Sequence, residues 1–380
     1  MPNIEVKIDI EKDAWNWWGA CNSSSYGVDW KERISKSLQN KISGKTKKEA
    51  YKFLFPYLAK LHKRVKLETE KNYAQKRFDE KQKQIFERME EVTGRKICRE
   101  NFIIFMTTFP RCPYNITKGY IWSYYKWGRG DYVDSFIHEL LHFQTYAYWY
   151  EKCRKKLSNE DFEDLKEALT VILNESFSDI MTKPDCGYEV HKYLREELAK
   201  YWKKIKNFNS LVNYGVKIFP KFRDTIKYLQ FGKYTANPPK ALVNKIKKIN
   251  KKFGENFIRK AFIIIMKNFN TKRYKITTAK SLKQSRLICV SDIMAKRQRT
   301  CGSLATVVAS VFRTIGIPVK LIDGGYIEDN PNMNHAWNEI YDSRLKKFIA
   351  YDITRKNFKP GKFHIRKGEY VDWSELKKVK

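Results

Sequence analysis

The sequence predicts an α+β protein in which a helix-rich first part is followed by a smaller domain of helices and antiparallel strands. Two observations lead to this prediction. Apolar residues recur at helical spacing through most of the chain up to residue 269, whereas short segments after residue 318 are rich in the β-branched and aromatic residues that favour strands. Helices followed by a run of strands are typical of the α+β class.

The length and composition indicate folded domains. A chain of 380 residues with 42% hydrophobic and 15% aromatic residues can bury more than one core. We expect a region of unclear role at 1–65, a domain with a helical extension at 66–236, and a second domain at 237–380. Asn237-Pro238-Pro239 is the predicted linker between these two domains.

Helices are expected first and strands later, in the following order. The predicted helices cover Trp30–Lys60, Glu68–Glu91, Asp131–Cys153, Ser158–Met181, Lys240–Phe253, Asn256–Phe269 and Cys301–Thr314. The predicted strands cover Asn101–Phe109, Tyr120–Tyr125, Val319–Ile322, His335–Tyr341 and Phe348–Ile353.

The N-terminus and the cysteines favour a cytoplasmic protein that makes no membrane contact. The first residues alternate charged and apolar side chains, unlike a signal peptide, and no apolar run is long enough to span a bilayer. The seven cysteines are scattered, without a CxxC pair, which makes a poor disulfide framework.

The net charge of +34 raises the question of nucleic-acid binding. Lysine supplies 56 of the 76 basic residues and is spread along the whole chain, as expected when overall composition sets residue choice. No RNP sequence, zinc finger or phosphate-binding loop accompanies it. The sequence therefore disfavours a nucleic-acid partner and favours general attraction to acidic surfaces.

Cys301 stands at the predicted start of a helix that Gly316 and Pro318 follow. Unpaired N–H groups and the helix dipole favour a thiolate there, as a nucleophilic cysteine requires. Gly302 leaves room for a carbonyl group to approach, and backbone N–H groups at a helix start can bind an oxyanion.

A histidine and an aspartate on two later strands complete a candidate triad. If Tyr341 pairs with Phe348, Asp352 lies diagonal to His335 on the same face, and a slip of two residues would place them directly opposite. Either register lets Asp352 orient the His335 ring and stabilise the imidazolium.

These segments resemble the transglutaminase-like superfamily over about residues 240–355. The resemblance rests on Cys301, Gly316-Ile317-Pro318, His335-Ala-Trp and Tyr351-Asp352. It implies a papain-like fold and acyl transfer from an amide, to water or to an amine. Thr300 stands where the family commonly has glycine or an aromatic residue before the nucleophile. The resemblance therefore does not identify the upstream group that would donate a hydrogen bond to the oxyanion, and Gln298 is one candidate.

A second candidate site lies in the helix predicted from residue 131. His138-Glu139-Leu-Leu-His142 has the HExxH spacing, which places both imidazoles on one helical face. Glu139 would lie beside them as a general base, and a third ligand would come from another element.

The next predicted helix contains Asn174-Glu175-Ser-Phe-Ser-Asp179, which resembles the corresponding segment of thermolysin-like gluzincins. The resemblance implies that Glu175 is the third zinc ligand and that Asp179 supports His138. Glu167, eight residues earlier on the same predicted face, is the rival ligand. Tyr188, His191 and Tyr193 are the candidates for stabilising a tetrahedral intermediate.

The sequence thus predicts a helix-rich zincin-like domain followed by a papain-like transglutaminase-core domain. Both sites would act on amide bonds of a peptide or protein substrate. Cys301, His335, Asp352 and Glu139 would be catalytic, and His138, His142 and Glu175 would bind zinc. The alternative is a basic binding or scaffold protein with catalytically silent enzyme-derived domains, in contact with nucleic acid or another acidic partner.

Overall fold

Two compact units, Met1–Phe222 and Arg223–Lys380, make up the chain. The structure is a computed structural model that describes the following residues: 2–126, 131–232, 234–236, 238–249, 254–269, 275–276, 289–296, 298–326, 330–355, 364–371 and 375–378. None of the helices in these ranges combines the length and the apolarity that crossing a bilayer requires.

The first unit surrounds one small sheet with helices. In chain order its elements are β1 (Asn3–Lys7), α1 (Ile10–Asn22), β2 (Ser24–Ser25), β3 (Val28–Asp29), α2 (Lys36–Ile42), α3 (Lys47–Arg64), α4 (Leu67–Thr93), β4 (Asn101–Thr107), β5 (Tyr114–Asn115), β6 (Tyr120–Tyr124), α5 (Asp131–Arg154), α6 (Asn159–Leu169), α7 (Leu173–Ser176), α8 (Lys192–Ile205) and α9 (Phe208–Ile218). The sheet order is β1-β4-β6-β5, with β4 parallel to both β1 and β6.

The described residues of the first 65, which the sequence analysis set apart as a region of unclear role, lie in the first unit with this sheet. Strand β1 pairs along its whole length with β4. Asp13 of α1 is fully buried and accepts hydrogen bonds from the hydroxyls of Thr107 and Thr108, at 2.6 and 2.7 Å. Because strand pairing joins residues far apart in the chain, local patterns could not reveal this connection.

The helix predicted over Ser158–Met181 begins as expected and then breaks. Ser158 caps α6 in a capping box with Asp161, but α6 ends at Leu169 and a 3₁₀ turn separates it from the short helix α7. Two donors bind the carbonyl of Glu167 at the break, the Thr170 hydroxyl at 2.8 Å and Arg195 Nη1 at 3.3 Å. Helical periodicity therefore does not extend from α6 into α7.

The second unit packs helices against an antiparallel sheet. Its elements are α10 (Arg223–Leu229), α11 (Lys240–Lys247), α12 (Glu255–Phe269), β7 (Lys275–Ile276), α13 (Val290–Lys296), β8 (Gln298–Arg299), α14 (Cys301–Thr314), β9 (Val319–Tyr326), β10 (Asn330–Asp342), β11 (Lys347–Tyr351), β12 (His364–Val371) and β13 (Glu375–Lys378). The five-stranded sheet has the order β11-β10-β9-β12-β13, and α14 packs on β9 and β10.

The unit boundary lies before the linker predicted at Asn237-Pro238-Pro239. Gln230 and Thr235 are held in the second unit by Arg313 of α14, whose Nη1 donates to the carbonyl of Gln230 at 2.8 Å and to Thr235 Oγ1 at 3.1 Å. Pro238 and Pro239 indicate a turn in the sequence. Because the buried guanidinium of Arg313 already binds residues before this turn, the turn lies within the second unit and does not separate two domains.

Candidate active sites

Cys301 is the first residue of α14, as predicted. Thr300 is the N-cap and forms a reciprocal capping box with Ser303: its hydroxyl accepts from the Ser303 backbone N–H at 3.0 Å, and its own N–H donates to Ser303 Oγ at 2.7 Å. The residue that departs from the family pattern thus fixes the start of the helix. The thiol of Cys301 is half-buried at that start.

The strand register brings His335 and Asp352 together. Tyr341 pairs with Phe348 and Asn338 with Tyr351, which is the first of the two registers considered from the sequence. His335 Nε2 lies 2.8 Å from Asp352 Oδ2, and both side chains are buried. The other carboxylate oxygen of Asp352 accepts from the backbone N–H and the hydroxyl of Thr354, at 2.8 and 2.7 Å. The carboxylate is therefore held in one orientation.

A hydrogen bond joins His335 to the thiol of Cys301. Because Nε2 of His335 faces Asp352, Nδ1 is left for the thiol. Burial lowers the pKa of His335, but the hydrogen bonds to Asp352 and Cys301 outweigh it and raise the pKa to about 9. Burial raises the pKa of Cys301, but the hydrogen bond and charge of His335, with the backbone N–H groups of Ala336 and Gly302, bring it below its ordinary value. This arrangement favours a thiolate–imidazolium pair.

Two further residues position the histidine strand: Asn338, which the sequence did not single out, and Trp337 of the His335-Ala-Trp motif. Asn338 is fully buried and its Nδ2 donates to the carbonyl of Ala305 at 3.0 Å, which ties β10 to α14. The Trp337 ring stacks beside His335, with centroids 6.2 Å apart. A Cβ at Gly324 would lie 2.2 Å from the Trp337 ring, so only glycine allows this packing. Gln298 lies on β8, and its side chain is outside the described part of the chain.

A second cluster lies in the first unit, where His138 and His142 of α5 meet Glu167 of α6. Glu167 Oε2 lies 3.2 Å from His142 Nε2 and 3.6 Å from His138 Nε2, and one donor atom of each residue falls within 4.8 Å of the other two. The two imidazole centroids are 4.5 Å apart. The i and i+4 spacing on α5 accounts for the pair of histidines.

The donor set of this cluster fits a divalent metal such as zinc. Both ring nitrogens of His142 and Oε2 of Glu167 are buried and have no hydrogen-bond partner in the described part of the chain. Burial lowers the pKa of His142 to about 4, which keeps that imidazole neutral as a ligand must be. Burial also lowers the pKa of His138, but Asp185 and Glu167 outweigh it and raise that pKa well above its ordinary value, so a metal would have to displace a proton from His138. Two neutral imidazoles and one carboxylate are a common catalytic zinc set.

The predicted third ligand, Glu175, does not lie in this cluster, and this corrects the sequence-based assignment. Glu175 is about half exposed on α7 and forms an ion pair with Lys206. The reason is the 3₁₀ turn after α6, which removes Glu175 from the helical face that Glu167 occupies. Glu167, the rival ligand, occupies the position instead.

Asp179, the predicted support of His138, also lies elsewhere, in an ion pair with Arg88 at 2.9 Å. Asp185 takes its place, with Oδ2 3.4 Å from His138 Nδ1. Arg195 fixes the Asp185 segment by donating to its backbone carbonyl at 2.7 Å. Asp185 follows Pro184 in a loop, where no periodic pattern could have indicated it.

Glu139 is buried beside the two histidines and lines a cavity next to them. Burial raises the pKa of its carboxyl to about 8, although the charge of His138 opposes this. Its Oε2 has no hydrogen-bond partner among the described residues. The predicted base is thus a carboxyl group in a desolvated position, typical of groups that exchange protons near neutral pH.

The cavity above the cluster has a volume of about 390 Å³. Its lining consists of Ser25, Tyr26, Trp30, Arg33, Arg111, Cys112, Pro113, Tyr114, His138, Glu139, Glu167 and Tyr188. Of the predicted stabilising residues, Tyr188 lines the cavity, whereas His191 is buried against Asp164 at 2.9 Å. Tyr114, not considered from the sequence, packs on His142 with centroids 5.5 Å apart, and its hydroxyl contacts the buried ammonium of Lys166.

The family comparison matches a range that lies almost entirely in the second unit. Residues 222–353 match the family described as the Transglutaminase-like superfamily. A structure from Cytophaga hutchinsonii, described as a candidate cysteine protease, is similar over 39% of this chain and 47% of its own, with 18% identity and a TM-score of 0.29. The similar region thus spans less than half of that protein. No curated protein matches the chain.

The matched residues include the start of α14 and the strands β10 and β11, where Cys301, His335 and Asp352 meet. The matched range agrees with the family inferred from the sequence motifs and begins earlier, close to the boundary between the two units. The chain therefore carries a transglutaminase-like domain over residues 222–353.

Proposed function

We propose that the second unit is a thiol-dependent amidase or acyltransferase in which Cys301 is the nucleophile, His335 the general acid and base, and Asp352 the group that orients the histidine. One observation supports this most directly. The half-buried thiol of Cys301 stands at a helix start and is hydrogen-bonded to His335, and the buried carboxylate of Asp352 lies 2.8 Å from His335. All three residues lie in the transglutaminase-like domain.

The reaction follows from these positions. The Cys301 thiolate attacks the carbonyl carbon of an amide, a C–S bond forms, and the developing oxyanion lies near the backbone N–H groups at the start of α14. His335 gives its proton to the leaving nitrogen as the C–N bond breaks, which leaves a thioester. Water or an amine then attacks the thioester, His335 takes up the proton of the attacking group, and the thiol is released with an acid or a new amide.

The test is trapping of the thioester. Incubation with an activated ester and rapid acid quench should place one acyl group on Cys301, found by peptide mass mapping. The Cys301→Ala variant should carry none, and added hydroxylamine should release the label from the unmodified protein. Acylation that persists in Cys301→Ala at the same rate would contradict the proposal.

A second activity is supported by a separate observation, the convergence of His138, His142 and Glu167 with buried donor atoms that have no hydrogen-bond partner in the described part of the chain. The first unit would be a zincin-like metallopeptidase. Bound zinc would supply Lewis acidity for hydrolysis of a peptide bond. Glu139 would move the proton of the attacking water, and Asp185 would hold His138 in its ligand tautomer.

Metal analysis tests this second activity. The purified protein should hold about one zinc per chain, and Glu167→Gln should lose the metal because it removes a ligand. Glu175→Gln is the matched control, since it changes a glutamate nearby in the sequence that pairs with Lys206, and it should keep the zinc. Glu139→Gln should keep the metal and lose hydrolysis. Zinc absent from the unmodified protein after metal-replete expression would rule out the metallopeptidase.

The two sites can be separated by inhibitors in the same preparation. Iodoacetamide should abolish only the thiol-dependent reaction, and a zinc chelator only the metal-dependent one. If neither treatment changes any amide hydrolysis, and Cys301 is inert, the chain acts instead as a basic binding or scaffold protein with two silent sites.

A further inference from the structure

The cavity of the first unit contains positive charge that no carboxylate among the described residues neutralises. Arg111 and Arg33 both line it. In the described part of the chain, neither guanidinium lies within ion-pair distance of a carboxylate, whereas Arg88, Lys166 and Arg195 of this unit each have such a partner. Nη1 of Arg111 is buried and has no hydrogen-bond partner there.

A tryptophan holds both arginines at this place. The guanidinium of Arg33 lies 4.4 Å from the ring centroid of Trp30, and that of Arg111 lies 5.8 Å from the same ring. Trp30 is itself fixed by a hydrogen bond from Nε1 to Ser25 Oγ at 2.9 Å. Arg33 also donates to the carbonyl of Pro110. The stacking fixes the two guanidiniums but leaves donors unused, which suits a planar anion.

The negative groups of the same cavity are at the metal cluster. Glu139 and Glu167 line it beside His138, and Glu167 lies against the two imidazoles. Without bound metal, an anionic ligand group would be repelled from the ionised Glu167 and attracted to the arginines. The cavity is therefore divided into a cluster that could act on a peptide bond and a region that could hold a carboxylate.

We propose that Arg111, assisted by Arg33, binds a carboxylate of a peptide lying in this cavity. The inference rests on the proposed metallopeptidase function only for the statement that the ligand is a peptide. Guanidinium groups pair with carboxylates through two parallel hydrogen bonds, and Arg111 brings to the cavity a guanidinium that has no carboxylate partner among the described residues. The carboxylate belongs either to the C-terminus of the peptide or to an acidic side chain.

Calorimetric titration of the full chain tests the proposal, in a background of Cys301→Ala and Glu139→Gln so that the peptide survives. Four probes distinguish the two sources of the carboxylate: N-acetyl-Ala-Ala-Phe, its C-terminal amide, N-acetyl-Ala-Glu-Phe-amide and N-acetyl-Ala-Gln-Phe-amide. We expect one carboxylate probe to bind at least about tenfold more tightly than its neutral counterpart.

Arg111→Gln should remove that tenfold preference, and Arg111→Lys should retain part of it because it keeps the charge without the planar fork. Arg95→Gln is the matched control: Arg95 also lies over an aromatic ring, 5.7 Å from Tyr148, but does not line the cavity. It should leave the preference unchanged. If circular dichroism shows that Arg111→Gln is misfolded, Arg111→Lys and Arg33→Gln carry the test.

Equal binding of charged and neutral probes, or no measurable binding of any of them, would overturn the proposal. So would a preference that survives Arg111→Gln, or that Arg95→Gln reduces equally. The titration is run on zinc-loaded and on chelator-treated protein. A preference for the charged probe in a chain that never binds zinc would reject the metallopeptidase and keep the carboxylate site. Zinc binding without that preference would keep the metallopeptidase and reject the carboxylate site.

Discussion

Replacing His335 by alanine should slow the alkylation of Cys301 by iodoacetamide near neutral pH. Iodoacetamide reacts with the thiolate, and His335 makes the largest favourable contribution to that form of Cys301. Cys98 is the internal reference, since it is also half-buried but has a pKa that burial raises to about 11. The comparison of two thiols in one molecule removes differences in protein concentration and reagent.

The expected difference in alkylation rate follows from the raised pKa of Cys98 and the lowered pKa of Cys301. At pH 7 a thiol with a pKa of about 11 is ionised in about one molecule in 10,000, whereas Cys301, below its ordinary value of 9, is ionised in at least about one in 100. The thiolate of lower pKa is less nucleophilic, by a factor of about ten over two pKa units. Cys301 should therefore react at least about tenfold faster than Cys98.

The assay is mass spectrometric quantification of each alkylated peptide against time, repeated from pH 6 to 9. Because the hydrogen bond and charge of His335 favour the thiolate of Cys301, the rate at Cys301 should exceed that at Cys98 throughout this range. The rate at Cys98 should rise about tenfold per pH unit, as for any thiol far below its pKa. Equal rates at the two cysteines, or a Cys301 rate that His335→Ala leaves unchanged, would refute the thiolate–imidazolium pair.

Three other outcomes are expected. Asp185→Asn should weaken zinc binding about 10- to 100-fold through its contact with His138, measured by competition with a chelator, and Asp179→Asn should leave the affinity unchanged. Thr300→Ala should lower the free energy of unfolding by about 1 kcal/mol in urea titration, because it removes the cap of α14; an unchanged midpoint would contradict this role. Binding to RNA or DNA at about 0.15 M salt should be weak, and submicromolar affinity there would reverse the ranking of partners.

The cysteine site could be predicted closely from the sequence, because each of its parts is a local pattern. The helix that begins at Cys301 follows from small and apolar residues at helical spacing. Alternation and the turn after Tyr341 left two strand registers open, and the structure has the one in which Tyr341 pairs with Phe348. Once the register is set, His335 and Asp352 can only lie side by side on one face. The hydrogen bond from Asn338 to the α14 backbone could be found only in the tertiary structure, because this bond joins two separate elements.

For the cluster of His138, His142 and Glu167, the sequence and the tertiary structure each determined different residues. The sequence by itself determined that the two histidines and Glu139 lie together, because the three residues are close neighbours on one helix. Only the tertiary structure decided between Glu167 and Glu175, and between Asp185 and Asp179. The break after α6 depends on the donors that Thr170 and Arg195 offer to one carbonyl, and Arg195 comes from a later helix. Contacts between distant segments set which carboxylates face the histidines, and no local periodicity contains that information.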